Sequence, residues 1–150
     1  EHAGNRAYYG QSRVDAGAQS PIHAALTRIA TLRRDTPALQ RGLQLVVDLE
    51  GDHAAFYRVL ADGDAQQTAL VLLNKGGAPW RPTLDATQVA DGDWRDALGD
   101  GSLAADGGLS LDVPAHGVRV LLRDDVAVPA DLRERLQLLM TGRLGGPDAK

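Results

Sequence analysis

Carboxylates, imidazoles and indoles are the groups in this 150-residue chain whose chemistry could be put to use, and their spacing decides which uses are open. Two carboxylates act together only when rigid elements hold them close. Here Asp62, Asp64, Asp91, Asp93 and Asp100 fall in turn-forming stretches, and Asp131 and Glu134 fall on the polar side of a helical segment, so solvation is their expected role. The four His residues, His2, His23, His53 and His116, lack metal-ligand spacing, and the Asp-Gly-Asp around Gly63 lacks the further ligands of a calcium loop. No metal and no cofactor are expected. Without Cys there is neither a disulfide nor a thiol nucleophile. Trp80 follows Gly76-Gly77-Ala78-Pro79, a turn, and is expected to be partly exposed, where an indole can stack on a flat ring. Trp94 is expected to pack in the core. No catalytic residue is expected in the chain.

The elements that must position these groups follow from apolar periodicity. Residues 21–42, PIHAALTRIATLRRDTPALQRG, place Ile22, Leu26, Ile29 and Leu32 at helical spacing on one face. Ser20 is the expected N-cap, Pro21 suits the first helical position, and Arg33 and Arg34 complement the dipole in the last turn. Thr36-Pro37 restarts a short helical piece that Gly42 ends. The remainder alternates with period two. Leu43, Leu45, Val47 and Leu49 form one strand, and residues 53–60 a second, with Ala55, Tyr57 and Val59 on one face. Residues 67–74 are apolar on both faces, as a central strand should be. Asp62-Gly63 is a hairpin signal, because glycine readily takes the positive φ that such turns need. Leu109, Leu111 and Val113 are expected to pair with Val118, Val120 and Leu122 across Pro-Ala-His-Gly.

The predicted fold is therefore mainly β, an antiparallel β-sandwich over residues 43–123, preceded by one amphipathic helix in residues 1–42 and followed by a short C-terminal helix and tail in residues 124–150. Leu70, Val71, Leu72, Phe56, Val118 and Val120 are expected in its core. In the last segment Leu132, Leu136, Leu139 and Met140 make a modest stripe, either packing on the sandwich or barrel or serving as a partner-binding or dimerising helix, before Gly142 and Gly145-Gly146-Pro147 break it.

Charge and composition narrow the partners. A net charge of −4 with dispersed Lys and Arg offers no basic patch for nucleic acid. No run of 18 apolar residues is present, so no membrane-spanning helix is expected. Residues 1–10 lack the basic and apolar regions of a signal peptide. The compartment stays open, with a periplasmic or secreted setting slightly favoured over a cytoplasmic one.

Five segments, in order, carry a family resemblance. The string Ser20-Pro21-Ile22…Leu32-Arg33-Arg34…Thr36-Pro37-Ala38-Leu39…Gly42 resembles the last barrel helix of the α-amylase family of glycoside hydrolases and transglycosylases. Phe56-Tyr57-Arg58 resembles that family's aromatic-rich strand ending in Arg, and Ala69-Leu70-Val71-Leu72-Leu73-Asn74 its valine-rich strand followed by Asn. Residues 94–99, WRDALG, resemble its Asp-Leu-Leu-Gly segment, and residues 109–117, LSLDVPAHG, its closing strand and turn. Asn5-Arg6 resembles the end of an Asp-Pro-x-Asn-Arg loop found in cyclodextrin glucanotransferase-like and maltogenic members, where Asp and Arg hold a sugar several units from the cut. Here His2 and Ala3 replace the Asp and Pro, which leaves Arg6, with Asn5, as the candidate substrate-binding residue. Tyr8 and Tyr9 could stack on a sugar or pack the loop.

The resemblance implies a C-terminal part of an α-glucan-active enzyme, with the catalytic barrel of the same parent chain as partner and the substrate met through the parent. Retaining glycoside hydrolysis needs two carboxylates about 5 Å apart, and none of the family's catalytic motifs is present in this chain. A stripe meant for a barrel would need cover in the isolated fragment, by the sandwich or by self-association. The alternative is a free-standing β-sandwich accessory or glycan-binding module.

Overall fold

The computed structural model describes residues 10–141. Asn5 and Arg6 lie outside the described residues, as do His2, Tyr8, Tyr9 and the glycines after Thr141. The chain divides into two compact units, Glu1–Asp35 and Thr36–Lys150.

In the first unit, α1 (Gln11–Ala18) is a short helix that no apolar period in QSRVDAGA announces. It is followed by α2 (Pro21–Asp35), which starts and ends as its sequence predicts. The Ser20 hydroxyl accepts from the His23 backbone N–H at 3.2 Å, satisfying one of the donors that a helix start leaves free. Arg33 and Arg34 occupy the last turn. α2 buries none of its residues: Ile22, Leu26 and Ile29 are 73%, 61% and 44% exposed.

The second unit opens with α3 (Pro37–Arg41), whose Ala38 is fully buried against β2 and β3. Eight strands follow: β1 (Leu43–Glu50), β2 (His53–Asp62), β3 (Ala65–Asn74), β4 (Thr83–Asp85), β5 (Gly92–Asp96), β6 (Ser102–Ala105), β7 (Gly108–Ser110) and β8 (Gly117–Arg123). Six of them form one antiparallel sheet in the order β1-β2-β3-β8-β5-β6, and β4 and β7 form a second, two-stranded one. Side chains of both sheets share one core, with Leu45, Tyr57, Leu70, Leu72, Trp94 and Leu121 from the large sheet against Leu84, Leu109, Leu111 and Val113. β3 is the central strand its apolar run predicts, paired to β2 on one side and β8 on the other. The phenol of Tyr57 sits in this core and donates to the Gln88 carbonyl at 2.9 Å, and burial raises its pKa well above the ordinary range, so it remains a donor.

Three expectations are corrected. The strand over residues 109–113 does not pair with 118–122: Thr83 to Asp85 of β4 pair with β7, Val113 bridges to Trp80, and β8 instead fills the place between β3 and β5. Pro114 has no N–H to give a ladder, His116 takes a φ of 50°, and a Cβ on Gly117 would come 2.8 Å from the Pro114 carbonyl oxygen. That turn carries the chain from one sheet to the other rather than back along itself. Next, β1 does not alternate to its end, because its register shifts between Val46 and Asp48. The bulge moves Leu49, 74% exposed, away from the face that Leu45 buries. Finally, Phe56 and Val118 are only half-buried. Period two sends Phe56 to the opposite face from Tyr57, and it pairs there with Val71, while Val118 pairs with Leu73. Leu70, Val71, Leu72 and Val120 are buried as expected.

The tail packs on this unit. The Thr68 hydroxyl donates to the Asp125 carbonyl at 2.7 Å and accepts from the Ala127 N–H at 2.9 Å. Ala127 and Val128 join the core, and α4 (Ala130–Met140) follows with Leu136 buried and Leu132 and Leu139 partly so. Met140 stays exposed. No helix among the described residues is long and apolar enough to cross a membrane.

Candidate functional site

The pairing of β2 with β3 puts His53 opposite Asn74, and so brings together the turn before β2 and the loop after β3. Between them lies a cleft of about 560 Å³ lined by Glu50, Gly51, Asp52, His53 and the residues from Gly76 to Trp80. Its wall is an aromatic pair. The His53 and Trp80 rings stack with centroids 4.6 Å apart and planes 5° from parallel, and both residues are half-buried. The Glu50 and Asp52 carboxylates are exposed beside it, and the Lys75 ammonium lies 3.3 Å from Asp52.

A buried side chain fixes the loop that carries Trp80. The Asn74 amide nitrogen donates to the Ala78 carbonyl at 2.8 Å and to the Pro114 carbonyl at 3.0 Å, while its oxygen accepts from the Gly76 N–H at 2.9 Å. Backbone bonds complete the frame. Lys75 N–H donates to the Asp52 carbonyl at 2.9 Å, and Trp80 and Val113 exchange both of theirs at 2.9 and 2.8 Å. His116 N–H donates to the Gly76 carbonyl, and its Nδ1 lies 2.9 Å from the Lys75 carbonyl, which requires the proton on Nδ1. Asn74→Ala should leave three of these backbone partners unsatisfied and cost about 1–3 kcal/mol. Hydrogen exchange checks this: the amides of Lys75, Gly76 and Trp80 should lose protection more than those of β3, and uniform loss would deny Asn74 its local role.

The remaining candidates divide between core, surface and the undescribed segment. Trp94 is fully buried, with its indole N–H donating to the Ala90 carbonyl at 3.0 Å, so it packs the core as expected. His23 is exposed on α2. Asp62, Asp64, Asp91, Asp93, Asp100, Asp131 and Glu134 are all exposed. Among the described residues the buried carboxylate is Asp96, which accepts from the Leu98 and Gly99 N–H groups at 3.1 and 3.0 Å and pairs with Arg119 at 2.6 Å. Its bonds make it a turn-builder. A Cβ on Gly99 would lie 2.5 Å from its oxygen, which explains a glycine at the end of WRDALG. Among the described residues no three His, Asp or Glu side chains gather as a metal set. The sequence reading noted Trp80 but not its partner. The signal was present in the strand register, since His53 and Trp80 each adjoin a glycine-bearing turn at the same end of one hairpin.

No protein-family model matches the chain, and no curated protein matches it. Solved structures do. An α-amylase from Geobacillus thermoleovorans, complexed with acarbose, superposes with a TM-score of 0.60 at 24% identity over 68% of this chain and 23% of its own. AmyP in complex with maltose gives 0.56 at 20% identity, over 67% of this chain and 19% of its own. The Anoxybacillus α-amylase gives 0.55 at 19% identity, over 69% and 21%. The chain has a fold found in α-amylases. It spans about a fifth of the length of these three proteins, and at such identities the likeness is one of fold.

Proposed function

We propose that this chain is the C-terminal part of an α-glucan-active glycoside hydrolase or transglycosylase, and that it supports a catalytic barrel rather than doing chemistry itself. The observation that carries the reading is the fold that residues of this chain share with part of several α-amylases. The five ordered segments that resemble that family point the same way, as does the exposed stripe of Ile22, Leu26 and Ile29 on α2, an apolar surface suited to a barrel partner. The absence of the family's catalytic motifs from the sequence supports the non-catalytic part of the reading, and the buried Asp96 is committed to Arg119 and its own turn. Arg6 and Asn5 remain the candidates for contact with substrate.

Incubated with soluble starch, maltoheptaose or cyclodextrins, this chain should release no reducing sugar and form no transfer product, while the whole parent enzyme converts at least one of them. Turnover that scales with this chain through repurification, or a parent inert on every α-glucan, would overturn the reading. A free-standing accessory module would give the α2 stripe no barrel to pack on.

A further inference from the structure

We propose that the cleft at His53 and Trp80 is a non-catalytic binding site for an α-linked glucose oligosaccharide. The choice of α-linked glucose rests on the function proposed above; the site itself rests on geometry. A sugar ring presents a flat face of C–H bonds and a rim of hydroxyls, and it is held by an aromatic surface with acceptors beside it. The cleft offers both. Stacking on His53 covers one face of the Trp80 ring and holds it in place. The part of this half-buried indole that lines the cleft is the apolar surface for a sugar, and Glu50 and Asp52 supply carboxylate acceptors at the edge. Its volume of about 560 Å³ lies within the ~300–1,000 Å³ usual for small-ligand sites.

Charge narrows the ligand further. The lining carries two carboxylates and neither Lys nor Arg, so a phosphate or carboxylate ligand would meet repulsion there. A neutral or cationic ligand remains, and the neighbouring Lys75 already offsets Asp52, which favours the neutral one. The site is also preformed. Asn74, the Lys75–Asp52 backbone bond and the paired Trp80–Val113 bridge hold both walls through the protein's own bonds, so little ordering is left for binding to oppose.

The chain's two Trp residues make the test internal. In a ¹⁵N-labelled sample the Trp80 indole N–H signal should move saturably on titration with maltoheptaose, while that of Trp94, buried and bonded to Ala90, stays still. Trp80→Ala should weaken binding by roughly tenfold or more, the equivalent of losing one interface anchor. Glu50→Gln, at an exposed position that threatens no packing, should weaken it less. A Trp80 signal that maltoheptaose leaves unmoved overturns the proposal without any variant having to fold. Movement by tetramethylammonium with maltoheptaose inert would make the cleft a cation site and overturn it equally, and cellohexaose binding in place of maltoheptaose would refute the α-linkage. The proposed function fails by a different observation, an inert parent or an active fragment, so the two can fall separately.

Discussion

Trp94→Ala should remove a large part of the stability of the sandwich, about 3–5 kcal/mol, against the roughly 5–15 kcal/mol that holds a typical domain together. The ring is fully buried, tilted against Tyr57 at 6.2 Å, with the Arg123 guanidinium 5.5 Å from its centroid. That guanidinium is itself held by both Asp125 oxygens at 2.9 and 2.7 Å and by the Asp91 carbonyl at 2.6 Å, so it cannot follow a shrinking side chain inward. Truncation therefore opens a cavity and leaves the Ala90 carbonyl without its indole donor. Trp94→Phe keeps one six-membered ring, loses the N–H and opens a smaller cavity, so it should cost clearly less. Urea unfolding followed by far-ultraviolet circular dichroism measures both variants. A Trp94→Ala midpoint equal to wild type would mean that the indole is not the centre of this core.

Asp96→Ala should cost about 2–4 kcal/mol, below the ~3–5 expected when a fully buried ion pair loses one partner. The discount follows from exposure: the Asp96 side chain is 5% accessible, but that of Arg119 is 27% and water screens part of its charge. Two further losses add to it. The Leu98 and Gly99 N–H groups lose their acceptor, and Arg119, whose Nε is already buried without a hydrogen-bond partner, keeps only the Asp112 carbonyl at 3.3 Å. Asp96→Asn retains an acceptor for the turn and removes the charge, so it should fall between. Combining Asp96→Ala with Arg119→Met should recover part of the loss, because no stranded charge remains. Urea midpoints for wild type, the two Asp96 variants, Arg119→Met alone and the double variant test this, and strict additivity of Asp96→Ala and Arg119→Met would show that the pair does not interact.

The elements with one dominant local cause were legible in the sequence. Ser20 before Pro21 and the i, i+4 apolar residues after it specify α2, and Ala55, Tyr57 and Val59 alternate onto the core because β2 has neighbours on both sides. Features decided by distant partners were not. Nothing in LQLVVDLE marks the slip at Val47, since an unbroken alternation is locally as good. The partner of β8 was misassigned because Leu109, Leu111 and Val113 match its apolar residues as well as β3 and β5 do; only the crossing at Pro114 decides. α1 lacks any period to read. At the site, each half was visible as a turn with one ring beside it, and only the register of β2 on β3 joins them into a cleft.

The slip at Val47 has a bearing on how the molecule behaves in a crowd. β1 is the outermost strand of the large sheet, eight residues long, with Leu43, Val46 and Leu49 exposed. Such a rim is a template on which a second chain could add a strand and begin a fibril. An incoming straight strand would match the rim on one side of Val47 and fall out of step on the other. Asp48, just past the slip, adds a charge that a stack of identical chains would repeat at every layer, and α4 packs against the same strand. The kink that spoils the alternation thus keeps a greasy border from growing.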